Sequence, residues 1–188
     1  MVAGRRTAQG RFAVNDIHST QCRFAVNYSR RLGGMDEVRW LDSEEQRAWR
    51  AYLDSTRLLI QALDRQLEAD SGVSMLDYEV LVVLSEAPDR RMRMRDLADA
   101  VLSTRSGATR AVTRLERLGW VRRTDCADDR RGTEAELTEE GLAKLAATAP
   151  GHVAAVRAHM FDLLTPREVE HLRTVGTKIR DHLQHPAS

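Results

Sequence analysis

Residues 96–123 read DLADAVLSTRSGATRAVTRLERLGWVRR, and this stretch decides the fold. Leu97, Ala98 and Val101 recur at helical spacing, which predicts a short helix over Asp96–Val101. Val101-Leu102-Ser103 reads as a tight turn. Ser103 then opens a second helix, Thr104–Leu118, which Gly119 closes from the position just past the last turn. Two helices joined this way form a helix-turn-helix, whose second helix suits the major groove of DNA. That groove is roughly 12 Å wide and admits a single helix. Ser103, Thr104, Ser106 and Gly107 are small enough for close approach, and hydroxyls beside the free amides of a helix start suit a phosphate. Arg105, Thr109 and Arg110 can reach base edges or phosphates, and Arg114 and Arg117 lie further along for the DNA backbone. Ala108, Ala111, Val112 and Leu115 form the face that packs inward. The plain alternative is a basic surface helix in some other α-rich domain.

The hydrophobic period changes after Gly119. Trp120–Thr124 and Thr133–Leu137 read as short strands, with Asp125–Gly132 as a hairpin tip. Upstream, Ser43 and Gln46 have the spacing of a capping box. Trp49, Tyr52, Leu53, Thr56, Leu59, Ile60, Leu63 and Leu67 then make one stripe, which ends at Ser71-Gly72. Ser74 caps a further helix with Tyr78, Leu81, Val82 and Leu84 inward, stopped by Pro88. Downstream, Thr138 caps a helix to about Leu164 that Pro150-Gly151 should bend or break. Thr165-Pro166-Arg167-Glu168 starts a last helix along Val169, Leu172, Gly176, Ile179 and Leu183.

The expected fold is mainly α with a small β-hairpin wing. A winged helix-turn-helix lobe occupies residues 73–138, flanked by helices in 35–72 and 139–188. Long apolar stripes at the chain ends bury little alone. A second copy of the chain is the economical explanation, although the stripes would also allow packing within one chain.

A net charge of +1 hides an uneven distribution. Residues 90–131 carry twelve Arg against six acidic side chains, and residues 1–34 carry six Arg against one Asp. The remainder carries eleven basic against twenty-one acidic side chains. A basic centre held in an acidic body points to a polyanion-binding face, with solvated surface charge as the plain alternative. With 42% hydrophobic and 30% charged residues, the chain can bury a core. No apolar run approaches the length of a membrane span, so no membrane partner is expected. The N-terminal residues lack the apolar segment of a secretory signal. Cys22 and Cys126 are too few for a disulfide scaffold, and a cytoplasmic location is expected.

Residues 1–34 are polar, aperiodic and end in Gly33-Gly34 ahead of Met35. They read as a disordered or non-native leader, with a basic arm along DNA as the alternative. The pentapeptide RFAVN occurs twice there, at Arg11–Asn15 and Arg23–Asn27. If the leader is translated from upstream DNA, the repeat is also a DNA repeat. With suitable codons, Phe-Ala-Val-Asn is written TTC-GCN-GTG-AAY, whose TTC and GAA are inverted repeats. Binding of the protein to its own promoter is one reading; a chance or duplicated peptide is the other.

The stretch quoted above, followed by DDRRGTEAELTEEG at 128–141, resembles the DNA-binding lobe of the MarR family, the multiple antibiotic resistance regulators. The matching elements are Leu97-Ala98, Ser106–Arg110, Arg114–Gly119 and the Asp-x-Arg of Asp129–Arg131, in order and at family spacing. Leu137-Thr138 then leads into the next helix, and the resemblance covers about residues 40–184. It implies a homodimer, built by the N- and C-terminal helices, that binds double-stranded DNA at a near-palindromic operator, most often as a repressor. It also implies that Arg131 reaches into the minor groove, braced by Asp129, with Arg130 as the alternative inserting residue. A winged helix used only to bind proteins is the competing class. Asp129 and Arg131 would then merely stabilise the hairpin.

The resemblance leaves open a small aromatic effector, for which Trp49, Tyr52, Tyr78 and Met160 are candidate lining residues; aromatics at helical spacing also serve simply as core. Cys126 lies among wing arginines that favour a thiolate, but reads as a loop cysteine. His152, His159, His171, His182 and His185 form no tight ligand cluster, so neither metal nor cofactor is expected. Ser106-Gly107 lacks the strand context of a hydrolase elbow, and Asp128-Asp129 do not form a paired acid and base, so no enzyme is expected.

Overall fold

The computed structural model describes residues 39–126 and 129–185, the side chains of 126–131 excepted. The leader 1–34 and its repeat lie outside the described residues. Helix α1 spans Ser43–Ser71. Its cap sits one residue earlier than the spacing predicts. Asp42 Oδ1 accepts from the backbone N–H groups of Glu44 and Glu45, both at 2.8 Å, and Glu45 Oε2 accepts from Asp42 N at 2.9 Å. Asp42 and Glu45 therefore make the reciprocal box expected of Ser43 and Gln46. Gly72, at φ +63, ends the helix where a side chain would be strained. On α1 only Leu63 and Leu67 are buried, so most of the expected stripe faces outward.

Helix α2, Met75–Glu86, is capped by Ser74, whose side chain accepts from Asp77 N. Val80, Leu81 and Leu84 sit in the core, and Tyr78 is buried at its edge. A turn at Pro88–Arg90 leads to β1, Arg91–Arg93, a strand that the alternation in the sequence is too short to reveal. Helix α3 is Met94–Ala100, helix α4 is Arg105–Arg117, and strands β2 and β3 are Val121–Cys126 and Asp129–Leu137. The strands form an antiparallel sheet in the order β1-β3-β2. Both hairpin strands run further than predicted, because pairing continues through Asp125↔Thr133 and, past an irregularity, Cys126↔Asp129.

Helix α5 is Glu139–His159 and runs through Pro150 without a break. Proline removes the bond to the carbonyl four residues back. Ala146 and Pro150 are both exposed, so the missing rung lies on the solvent side where water can serve the carbonyl. A short 3-10 turn, Phe161–Leu163, precedes α6, Pro166–Gln184. The start of α6 is as predicted. Thr165 N donates to Glu168 Oε2 at 2.8 Å, and Thr165 Oγ1 accepts from Glu168 N at 3.4 Å. The donation from Thr165 N, joined by that from Thr165 Oγ1 to the same Oε2 at 2.7 Å, holds the Glu168 carboxyl below the usual carboxylate range.

The core joins α2 to α3, α4, the sheet and the nearer ends of α1 and α5. Leu67, Leu84, Leu97, Ala111, Val112 and Leu115 have no exposed surface, and Val121, Ala135, Leu137 and Leu145 close the cluster. At roughly 1.5–3 kcal/mol for each large side chain withdrawn from water, this cluster is the main source of stability and fixes where α4 stands. Helix α6 buries no residue at all. Among the described residues, no helix is long and apolar enough to cross a membrane.

Candidate nucleic-acid interface

Helix α4 has two unlike faces. Gly107, Ala108, Ala111, Val112 and Leu115 are buried, and Arg105, Ser106, Thr109, Arg110 and Arg117 are exposed. The turn before it is closed by Val101 N donating to Leu97 O and Ser103 N to Ala98 O, both at 3.0 Å. Because Ser103 is engaged in closing α3, the cap of α4 falls to Thr104, which accepts from Gly107 N at 3.0 Å. The cap is therefore one residue later than the Ser103 predicted. Leu102 occupies the turn at φ +47 with 88% of its surface exposed, a left-handed conformation that leucine adopts at a cost of about 1–2 kcal/mol.

The arginines around this face divide by what holds them. The guanidinium groups of Arg105, Arg110 and Arg117 have no hydrogen bond or ion pair among the described residues. Arg114, grouped with them by sequence, is committed elsewhere. Its Nε donates to Asp77 Oδ2 at 2.7 Å and its Nη2 to Asp77 Oδ1 at 2.5 Å. Asp77 is 5% exposed and also accepts from Ser74 Oγ at 2.8 Å. The bond to Asp77 raises the Arg114 pKa further above its already high ordinary value. A guanidinium locked in a fork to a buried carboxylate pins α4 to the start of α2. Sequence reasoning could not pair two residues 37 positions apart.

Arg123 on β2 is equally committed. It donates to Glu116 Oε2 at 3.1 Å, Thr113 Oγ1 at 2.7 Å and Thr109 O at 3.2 Å, which ties the wing to α4. Across the sheet, Arg91, Glu136 and Arg122 stand in register. Arg122 bonds Glu136 at 2.6 and 3.0 Å and holds its carboxyl below the usual range. Between α4 and the base of the wing lies a cleft of about 580 Å³ lined by Arg93, Met94, Arg95, Thr109, Arg123, Gly132 and Thr133. The sequence reading singled out neither Arg93 nor Arg95. The unread strand β1 carries Arg93, and Arg95 follows it in the first turn of α3. Asp129, Arg130 and Arg131 fall on β3, and the expected Asp129–Arg131 pair concerns side chains outside those described.

The four aromatic and sulfur side chains considered for an effector do not share one cavity. Trp49 and Tyr52 stack on each other at 6.3 Å and are about half exposed. Tyr78 lies 4.5 Å from the His152 ring and lines an apolar cavity of about 420 Å³ with Met75, Glu79, Val82, Val83 and Ala100–Leu102. Neither Trp49, Tyr52 nor Met160 lines it. Burial lowers the His152 pKa and raises those of Tyr78 and Glu79, and His152 Nδ1 is buried without a partner.

A family model described as the MarR family matches residues 71–132. The transcriptional regulator PecS of Dickeya dadantii is 30% identical over 131 residues, covering 67% of this chain and 75% of PecS. The transcriptional repressor YetL of Bacillus subtilis is 34% identical over 92 residues, 49% of this chain and 55% of YetL, so the chain spans little more than half of that relative. Among solved structures, Sco3205 of Streptomyces coelicolor, a MarR family transcriptional regulator in complex with DNA, is 48% identical with a TM-score of 0.76, covering 80% of this chain and 94% of Sco3205. AbsC, another MarR family regulator of that organism, is 45% identical with a TM-score of 0.72, covering 78% of this chain and 99% of AbsC.

Proposed function

The chain belongs to the MarR family of DNA-binding transcriptional regulators, and from that premise we propose that it is a repressor acting as a homodimer on a near-palindromic operator. Residues 73–138 are the DNA-reading lobe, and 35–72 and 139–188 supply the dimer. The observation that carries this reading is the exposed face of α4, where Arg105 and Arg110 flank Ser106 and Thr109 without an internal partner. Unpaired guanidinium groups on a helix of small residues suit base edges and phosphates. Arg114 is reassigned from a direct contact to a brace of that helix. Arg131, with Asp129 two positions before it and Arg130 as the rival, is the minor-groove residue.

The dimer rests on apolar surface left open in one chain. Trp49, Tyr52, Leu58 and Ile60 on α1, and Leu172, Val175, Ile179 and Leu183 on α6, are all exposed. YetL is a repressor by name, which supports the sign of regulation. The repeated RFAVN extends the reading to the protein's own promoter, to be checked by sequencing codons 11–27 and footprinting them. For a small aromatic effector, the cavity beside Tyr78 has the fitting lining.

The test is a set of binding isotherms on duplexes enriched from random DNA by the wild-type protein. Arg105→Ala, Arg110→Ala and Arg131→Ala should each weaken binding by roughly 1–3 kcal/mol and leave the dimer intact. Arg130→Ala in the same series decides which wing arginine is inserted. Unaltered affinity in all four variants contradicts the reading.

A further inference from the structure

Resting on the DNA-binding reading, we propose that the cleft between α4 and the wing seats one phosphodiester of a DNA strand, with Arg93 as its principal ligand. If α4 reads the major groove and the wing the adjacent minor groove, the strand separating those grooves passes between the two elements. The cleft of about 580 Å³ lies there, with Thr109 of α4 on one side and Gly132 and Thr133 of the wing on the other.

Arg93 is the residue to which the geometry points. Strand pairing places it opposite Glu134, on the same side of β1 as Arg91, while Met92 turns to the core. Arg91 is used internally, with its Nη2 3.6 Å from Glu136. Glu134 is itself engaged, whereas the Arg93 guanidinium makes no hydrogen bond or ion pair among the described residues. Its side chain is half-buried, and a guanidinium does not shed its proton, so partial burial leaves a fixed charge short of a counter-ion.

The rest of the cleft wall is preset. Arg123 is held by Glu116 and Thr113, so it adds positive potential without moving. Among the described residues Arg95 pairs with its neighbour Asp96 alone, at 3.0 Å, an exposed contact of little strength that a phosphate can replace. The Thr133 hydroxyl is exposed and can donate.

The experiment measures affinity by fluorescence anisotropy from 50 to 250 mM KCl. It compares wild type, Arg93→Gln, Arg93→Lys and Arg105→Gln on an enriched duplex and on a mixed-sequence 30-base-pair duplex. Arg93→Gln should make the log–log salt slope shallower by about 0.9 per protomer on both duplexes, with affinity at 0.15 M salt down about fivefold per protomer. The preferred sequence should not change, and Arg93→Lys should keep the wild-type slope. A wild-type slope in Arg93→Gln, with Arg105→Gln still impaired, overturns the phosphate seat and leaves the DNA reading standing. Wild-type protein that binds neither duplex overturns both. Inorganic phosphate at 20 mM and matched ionic strength separates a strand from a free anion. A phosphate effect confined to wild type supports a strand phosphodiester seated at Arg93, and phosphate that binds wild type without displacing either duplex overturns it.

Discussion

Whether an arginine serves DNA depends on what else holds it. Arg110 and Arg114 are four residues apart on one helix and look equivalent in sequence. Yet Arg110 has no side-chain partner among the described residues, and Arg114 is gripped by a buried Asp77. A brace and a contact fail differently. Arg114→Gln and Asp77→Asn should each lower operator affinity by about tenfold, or about 1.4 kcal/mol, by loosening the pose of α4. The double variant should cost little more than either single one, because both remove the same link. None should change the salt slope, whereas loss of a phosphate contact makes it shallower by about 0.9. A shallower slope in Arg114→Gln, with Asp77→Asn unaffected, would return Arg114 to the DNA. The residue types on this face were legible in the sequence, but their commitments were not, since Asp77, Glu116 and Glu136 each act across the fold.

Element ends show a related limit. The sequence has two capping-competent residues in succession at both Asp42-Ser43 and Ser103-Thr104, and side-chain chemistry alone does not say which one holds the extended backbone. The fold chose Asp42 and Thr104. Where a cap had one candidate, as at Ser74, Thr138 and Thr165, the reading and the structure agree. β1 escaped because three residues carry too little alternation, and it stays in place by pairing with β3. A close approach was also hidden. A Cβ built on Gly141 in the first turn of α5 would lie 2.1 Å from Trp120 O, the carbonyl that accepts from Thr138 N at 3.1 Å. Gly141→Ala should therefore push α5 off the wing and destabilise the fold by about 1–3 kcal/mol in urea unfolding. A midpoint unchanged from wild type would show that the junction has slack.

At the scale of the whole molecule, the core accounts for the reading lobe, and the open apolar faces of α1 and α6 ask for a second copy. The stripes were visible as periodicity. That they stay uncovered among the described residues required the structure, which leaves every residue of α6 unburied. Removal of residues 165–188 should abolish the dimer in sedimentation. It should also weaken operator binding far more than any single arginine change, since two half-sites are then no longer read together. A truncated chain that sediments as a dimer would move the interface elsewhere.

That α4 and the wing form a DNA-reading surface can be checked through the salt dependence of operator affinity. Arg93, Arg105, Arg110 and Arg117, whose side chains are unpaired among the described residues, plus the wing suit about three to five phosphates per protomer. Between 50 and 200 mM salt the wild-type affinity should then fall by about 10³–10⁵, and the enriched duplex should bind at least about 10³ more tightly than a scrambled one. A flat salt response with equal affinity for both duplexes would contradict the account.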